Sequence, residues 1–147
     1  MGVEVYNKTK ARINLALVED VTKAFLKFYK KSKLDAVIVF IGDKEMQVMN
    51  RDYRHKDKVT DVLSFTESDS PDAQSDLLGQ IFIDYQQIKR QAKEYEQSDE
   101  DELVFILVHG LLHLLGYDDA TEEEAQVMED LGNAFIKKLY HKGARKL

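Results

Sequence analysis

The segment that most constrains this chain is the apolar run Leu103–Leu115 (LVFILVHGLLHLL), in which every residue is apolar except His109, Gly110 and His113. The run is shorter than the ~20 apolar residues that a helix needs to cross a bilayer. A helix that is apolar on every side must be surrounded by other elements of a folded domain. We therefore expect a helix at the centre of the fold, with two imidazoles on its surface.

His109 and His113 are four residues apart, so both rings project from one face of this helix and can converge on one cation. Gly116 predicts the end of the helix, and a turn there can bring Asp119 back to the same point. Two imidazoles, one carboxylate and an open position for water are typical of a catalytic zinc site. The alternative is a pair of core histidines with ordinary hydrogen-bond partners. The apolar setting and the third donor favour the metal.

Composition narrows the possible chemistry. The chain has no cysteine, which excludes disulfides, a cysteine nucleophile and thiolate metal ligands. A length of 147 residues with 44% hydrophobic and 33% charged residues predicts a single globular domain over residues 1–147. The net charge of −6 argues against a protein that coats nucleic acid non-specifically. We see no signal-peptide pattern, so we expect a cytoplasmic protein.

Hydrophobic periodicity predicts the element order β-α-β-α-β-β-α-α-α. We expect strands at Val3–Tyr6, Ala36–Ile41, Val62–Phe65 and Gly79–Ile83, and helices at Ile13–Tyr29, from Asp43, at Tyr85–Tyr95, after Ser98 and after Thr121. This order favours an α+β fold, with a small mixed sheet of about four strands covered by about five helices. The central apolar helix would carry the metal ligands.

Several finer expectations concern single residues. Asp43 is expected to be the N-cap of its helix, with Met46, Met49 and Tyr53 on the inner face. The last helix is expected to bury Val127, Leu131, Phe135 and Leu139. Thr66–Asp76, which contains the sole proline, predicts an exposed loop. His55 and His141 lie in polar, basic stretches and are expected at the surface.

Three segments resemble one family. His109–Asp119 (HGLLHLLGYDD) closely resembles the signature H-G-x-L-H-L-x-G-Y-D-H of the YbeY family of bacterial endoribonucleases. Asn50–Phe65 resembles that family's N-x-x-Y-R-x-K-D-x-x-T-D-V-L-S-F block, and Leu78–Ile83 resembles its L-G-D-I-x-I strand. Asp119 stands where the family has a third histidine. A carboxylate oxygen also ligates zinc, and a more oxygen-rich site tolerates harder ions better.

The resemblance implies a metal-dependent, single-strand-specific endoribonuclease in ribosomal RNA maturation, including the 16S 3′ end, and in ribosome quality control. One Zn²⁺ per chain, held by His109, His113 and Asp119, is the expected cofactor, with nickel, cobalt or manganese as alternatives. The expected partners are ribosomal RNA and, beyond it, ribosomal proteins or an assembly GTPase.

Within the matched block, we expect Arg54 to be catalytic together with His113, because a guanidinium can grip a phosphate with two hydrogen bonds. Lys56 and Lys58 would extend a phosphate-binding track from it. The alternatives are a salt bridge between Arg54 and Asp57, and plain exposed loop charges for the two lysines.

Asp118 is either the general base or a carboxylate that orients a ligand histidine. Two other classes share the metal pattern. A metallopeptidase of the metzincin type carries a glutamate base after the first histidine, whereas this chain has Gly110, which cannot accept a proton. A non-enzymatic ribosome-assembly factor would use the metal only structurally.

Overall fold

The computed structural model of the chain describes residues 2–66 and 76–140. The strands are β1 (Val3–Asn7), β2 (Asp35–Ile41), β3 (Val62–Thr66) and β4 (Leu77–Asp84). The helices are α1 (Leu15–Phe28), α2 (Asp43–Arg54), α3 (Tyr85–Glu94), α4 (Asp99–Leu114) and α5 (Glu122–Leu139). This confirms the predicted element order and the α+β class. Most of the loop predicted around Pro71, and His141, lie outside the described residues.

The four strands form one mixed sheet in the order β1-β2-β4-β3. The β1–β2 and β2–β4 pairs are parallel, and β3 pairs with β4 in the antiparallel direction at one edge. Side chains alternate between the two faces of a strand. One face of the sheet packs against α1, α3, α4 and α5 through Ile38, Phe40, Ile81 and Ile83. The opposite face packs against Met46 of α2 through Val39 and Ile41. The sheet is therefore covered by helices on both faces.

Helix α4 lies at the centre of the larger helical layer, as its sequence predicts. It packs against α1, α3 and α5 and against strands β3 and β4. Its close approach to the sheet depends on Gly79, where a Cβ atom would lie 2.5 Å from the carbonyl oxygen of Phe65 and 2.6 Å from Leu114 Cδ2. Over the described ranges, no helix has the length and hydrophobicity needed to cross a bilayer.

Three residue-level expectations are wrong. Gly42 rather than Asp43 is the N-cap of α2, because Asp43 already has helical geometry. Tyr53 is 65% exposed, and Asn50 takes the buried place by donating from Nδ2 to the carbonyl of Lys58. Val127 is 50% exposed because Met128 takes the buried place in the first turns of α5, whereas Phe135 is buried as predicted and Leu131 and Leu139 pack half-buried against the core.

Candidate metal centre

The end of α4 determines where the third candidate ligand lies. The N–H groups of Gly116 and Tyr117 donate to the carbonyls of His113 and Leu112, which is the hydrogen-bond pattern of a Schellman cap. Gly116 adopts φ 103°, a left-handed conformation that a residue without Cβ adopts without strain. The cap reverses the chain so that Asp119 returns to the face of α4 that carries the histidines. The predicted role of the glycine is confirmed.

His109, His113 and Asp119 converge, with one donor atom of each within 4.8 Å of the others. Asp119 Oδ2 lies 3.2 Å from His109 Nε2 and 3.6 Å from His113 Nε2. Ligands at the usual zinc distances in a tetrahedron lie ~3.4 Å from one another, so these separations fit one ion held between the three donors. Both imidazoles are 26% exposed, so the group faces solvent on one side and leaves room for a further ligand.

Hydrogen bonds in the turn after α4 orient His113 and hold the backbone of Asp119. His113 Nδ1 lies 3.0 Å from the carbonyl oxygen of Tyr117. A carbonyl only accepts, so Nδ1 donates its proton and Nε2 is left with a free lone pair toward Asp119. The carboxylate of Asp118 accepts the backbone N–H of Asp119 at 2.7 Å. The sequence-predicted residue Asp118 therefore braces the turn that carries Asp119.

Burial lowers the pKa of His109, and the neighbouring His113 lowers it further, while Asp119 and Asp61 oppose the change. The net effect favours the neutral imidazole at neutral pH. Neutral imidazole is the form that binds a metal ion.

The three donors open into a cavity of about 1500 Å³ that is also lined by the predicted phosphate-binding residues Arg54, Lys56 and Lys58. Arg54 is in the last turn of α2, and its Nη2 donates to the carbonyl of Ser64 on the edge strand at 3.1 Å. The carboxylate of Asp57 accepts instead from Gln47 at 3.1 Å. Arg54 therefore borders the cavity beside β3. The hydrogen bond that its guanidinium donates goes to a backbone carbonyl and not to Asp57.

Gly110 faces strands β3 and β4 of the sheet. A Cβ atom there would lie 3.2 Å from Ser64 Oγ and Val62 Cγ2, and Ser64 Oγ donates to the carbonyl of Gly110 at 3.1 Å. A glutamate side chain at this position would crowd strand β3. The close packing of α4 on β3 thus also leaves no room for a metzincin-type glutamate after the first histidine.

Sequence reasoning missed a polar cluster in the same cavity. Glu102, two helical turns before His109, is only 2% exposed, and its carboxylate accepts from Gln91 Nε2 at 2.8 Å and from Gln97 Nε2. Gln91 Nε2 also donates to Asp61 at 3.2 Å. Burial raises the pKa of Glu102, although the two amides oppose this. The sequence signal for this cluster is the position of Glu102, seven residues before His109 and so on the same face of α4.

Comparison with known proteins gives a consistent result. A family model described as endoribonuclease YbeY matches residues 4–140. The endoribonuclease YbeY of Malacoplasma penetrans is 36% identical over 129 residues, 86% of each chain, and that of Finegoldia magna is 33% identical over 144 residues, 95% of this chain and 94% of that one.

Two further matches cover different amounts of the chain. The endoribonuclease YbeY of Ureaplasma urealyticum is 46% identical over 100 residues, which is 68% of this chain and 64% of that protein. The solution structure of a Thermotoga maritima protein aligns with a TM-score of 0.66 and 22% identity, over 95% of this chain and 90% of that one. This last match shows a shared fold.

Proposed function

The chain belongs to the endoribonuclease YbeY family, and from that premise we propose that it is a metal-dependent, single-strand-specific endoribonuclease in ribosomal RNA maturation. The observation that carries the proposal is the convergence of His109, His113 and Asp119 in a cavity that Arg54, Lys56 and Lys58 also line. A divalent ion and a phosphodiester would meet there. Processing of the 16S 3′ end and ribosome quality control are the expected contexts.

His109, His113 and Asp119 would hold one Zn²⁺ per chain, with nickel, cobalt or manganese as alternatives. The ion would supply Lewis-acid chemistry, by polarising a phosphoryl oxygen or by lowering the pKa of water. The carbonyl of Tyr117 would keep His113 in the tautomer that presents Nε2, which supports ligation by that atom. The carboxylate of Asp118 would hold the Asp119 turn in place, rather than act as the base.

Arg54 would stabilise the negative charge on the phosphate that is cleaved. Arg54 is exposed, and its guanidinium donates one hydrogen bond, from Nη2 to the neutral carbonyl of Ser64. Because a guanidinium has five N–H donors, others can bind a phosphate. Lys56 and Lys58 would hold the adjacent backbone. The overall charge of −6 opposes broad RNA affinity, which favours delivery of the RNA by a ribosomal protein or an assembly GTPase in the cytoplasm.

The decisive test compares His113→Ala with the wild type. We expect elemental analysis to find one divalent metal per wild-type chain and a loss of most of it in the variant, with at least a hundredfold loss of cleavage of unstructured RNA. His55→Asn is the matched control, because this histidine is exposed and asparagine tolerates its left-handed backbone, φ 60°. Structured RNA and casein are assayed in parallel.

The alternatives give different results in these assays. Cleavage of casein without cleavage of RNA would identify a metallopeptidase. If a folded His113→Ala variant cleaves RNA and supports rRNA maturation as well as the wild type, any bound metal is structural, as in a non-enzymatic assembly factor.

Arg54→Glu tests the phosphate role separately from the metal. Because it reverses the charge beside the phosphate, we expect at least a tenfold loss of RNA turnover with unchanged metal content. The measurements are single-turnover cleavage and elemental analysis of the same preparation. Loss of the metal in this variant would contradict a role confined to the phosphate.

A further inference from the structure

The cavity contains an aromatic residue that the metal chemistry does not use. Tyr95 follows the last residue of α3, lines the cavity, and leaves 63% of its surface exposed. The other residues of the groove leave most of this aromatic residue uncovered. It is well suited to stack on a planar ligand.

Tyr95 and Arg54 lie toward opposite ends of the groove. Strand β3 runs alongside α4 in the same direction. Its residues Val62 and Ser64 lie beside Gly110 of α4. Its last residue, Thr66, pairs with Gly79, which lies beside Leu114 at the end of α4. Tyr53, whose ring lies 5.3 Å from that of Phe65, is therefore at the His113 end. Tyr95 lies near Glu102, to which Gln91 and Gln97 donate. Glu102 and Leu114 are ~18 Å apart along α4, with the metal-ligand candidates between them.

The two ends differ in charge. Arg54, which follows Tyr53 in the chain and donates to the carbonyl of Ser64, lies toward the His113 end, and its charge attracts phosphates there. Asp61 and Glu102 line the other end, with the amides of Gln91 and Gln97. Phosphates are repelled by these carboxylates, so a nucleotide bound at that end has to be held by its base.

The backbone around Tyr95 is held firmly. The N–H of Glu96 donates to the carbonyl of Lys93 at 3.2 Å, and the N–H of Gln97 donates to that of Ala92 at 2.9 Å. This Schellman cap forces Glu96 to φ 54°, a conformation that costs a residue with a Cβ atom free energy. The cap fixes the backbone where Tyr95 and Gln97 leave α3, so the positions of both residues are set before a ligand binds.

On the basis of the proposed function, we propose that the Tyr95 end of the groove is a base-binding subsite for single-stranded RNA. The ring of Tyr95 stacks on an unpaired base a few nucleotides from the cleaved phosphate, while Arg54 holds the backbone toward the His113 end. A paired base has no free face to offer, so this subsite selects single strands.

The test measures binding of a short, unstructured, fluorescein-labelled oligoribonucleotide by anisotropy, with a gel to verify that the RNA stays intact. Tyr95→Ala is expected to weaken binding about 5-fold to 100-fold, the effect of losing one base–aromatic stack, and Tyr95→Phe to bind as the wild type does. Tyr6→Ala is the matched control, an exposed tyrosine on β1 outside the groove. Thermal melts verify that every variant is folded.

A second arm moves a single abasic nucleotide along the oligonucleotide. The wild type should lose affinity most at one position, and Tyr95→Ala should lose no further affinity there. Three results would each overturn the subsite. Tyr95→Ala could bind as tightly as the wild type, Tyr6→Ala could lose as much affinity as Tyr95→Ala, or the two proteins could give identical abasic profiles.

The same experiment separates the subsite from the nuclease proposal. A wild type that binds RNA with this Tyr95 dependence but fails to cleave it with any divalent metal would refute the nuclease proposal and leave the subsite standing. A wild type that does not bind RNA would refute the subsite.

Discussion

Gly110 shows how one residue can decide both packing and chemistry. It follows the first histidine of the motif and allows α4 to approach β3 closely enough for the hydrogen bond between Ser64 Oγ and its own carbonyl. The nearest atoms to a Cβ at this position, Ser64 Oγ, Val62 Cγ2 and Ile81 Cγ2, would all lie within 3.3 Å. The same residue that removes a possible proton acceptor thus sets the distance between the helix and the sheet.

Gly110→Ala is expected to be less stable than Gly132→Ala by roughly 1–3 kcal/mol. Both replacements gain up to about 1 kcal/mol of helix propensity. At Gly132 the new Cβ makes ordinary contacts of 3.7 and 3.8 Å, whereas at Gly110 it overpacks the sheet. Urea denaturation of the two variants and the wild type measures the difference. Equal stabilisation by both alanines would show that α4 is not held against β3 as described.

Four of the helices are followed by a residue with a positive φ. Helix α4 ends with Gly116 in the left-handed region, but Lys30, His55 and Glu96 adopt φ values of 58°, 60° and 54° after α1, α2 and α3. Residues with a Cβ atom are strained in this conformation. The surrounding hydrogen bonds must therefore impose it, and at Glu96 the segment so shaped carries Tyr95 and Gln97 into the groove.

Glu96→Gly is expected to raise the free energy of unfolding by roughly 0.5–1 kcal/mol, because glycine adopts a positive φ without steric strain. Glu94→Gly, in the last helical turn of α3, is the matched control and should lower stability by about as much, since its backbone is right-handed. Chemical denaturation of both variants gives the comparison. If Glu96→Gly destabilises the protein as Glu94→Gly does, the described backbone at Glu96 is wrong.

At the scale of the whole molecule, a buried acid links three elements. Asp84, at the end of β4, is fully buried and accepts the backbone N–H groups of Gln86 and Gln87 as the N-cap of α3. Its neighbour Asp43 on α2 forms an ion pair with Arg90 of α3 at 2.7 Å. Burial raises the pKa of Asp84 from 3.8 to about 7, and the adjacent Asp43 adds to the rise.

The pH dependence of stability follows from this shift. The folded protein holds more protons than the unfolded chain between about pH 4 and pH 7, so the free energy of unfolding falls as the pH rises through this range. Asp84→Asn keeps a good N-cap and removes the buried charge. We expect it to exceed the wild type in stability by roughly 1–4 kcal/mol at pH 8, with little of this gain below pH 4.

Denaturation curves at several pH values test this expectation. Asp20→Asn, at an exposed position of α1, is the matched control and should follow the wild type. A pH-independent difference between Asp84→Asn and the wild type would show that folding does not raise the pKa of Asp84.

The sequence by itself determined whatever depends on neighbours along the chain. The spacing of His109 and His113 on one helix, the glycine cap that returns Asp119, and the order of strands and helices all follow from local geometry, with its fixed repeat of 3.6 residues per turn or two per strand. The family resemblance follows from the same contiguous motifs.

Only the tertiary structure decided which distant residues share the groove. The contact of Arg54 with Ser64, the burial of Glu102 beneath Gln91 and Gln97, and the exposure of Tyr53 and Tyr95 depend on how α2, α3 and α4 pack around the edge strand. Hydrophobic periodicity specifies which face of an element is buried but not which element covers it. Tyr53, predicted to face inward, is exposed for that reason.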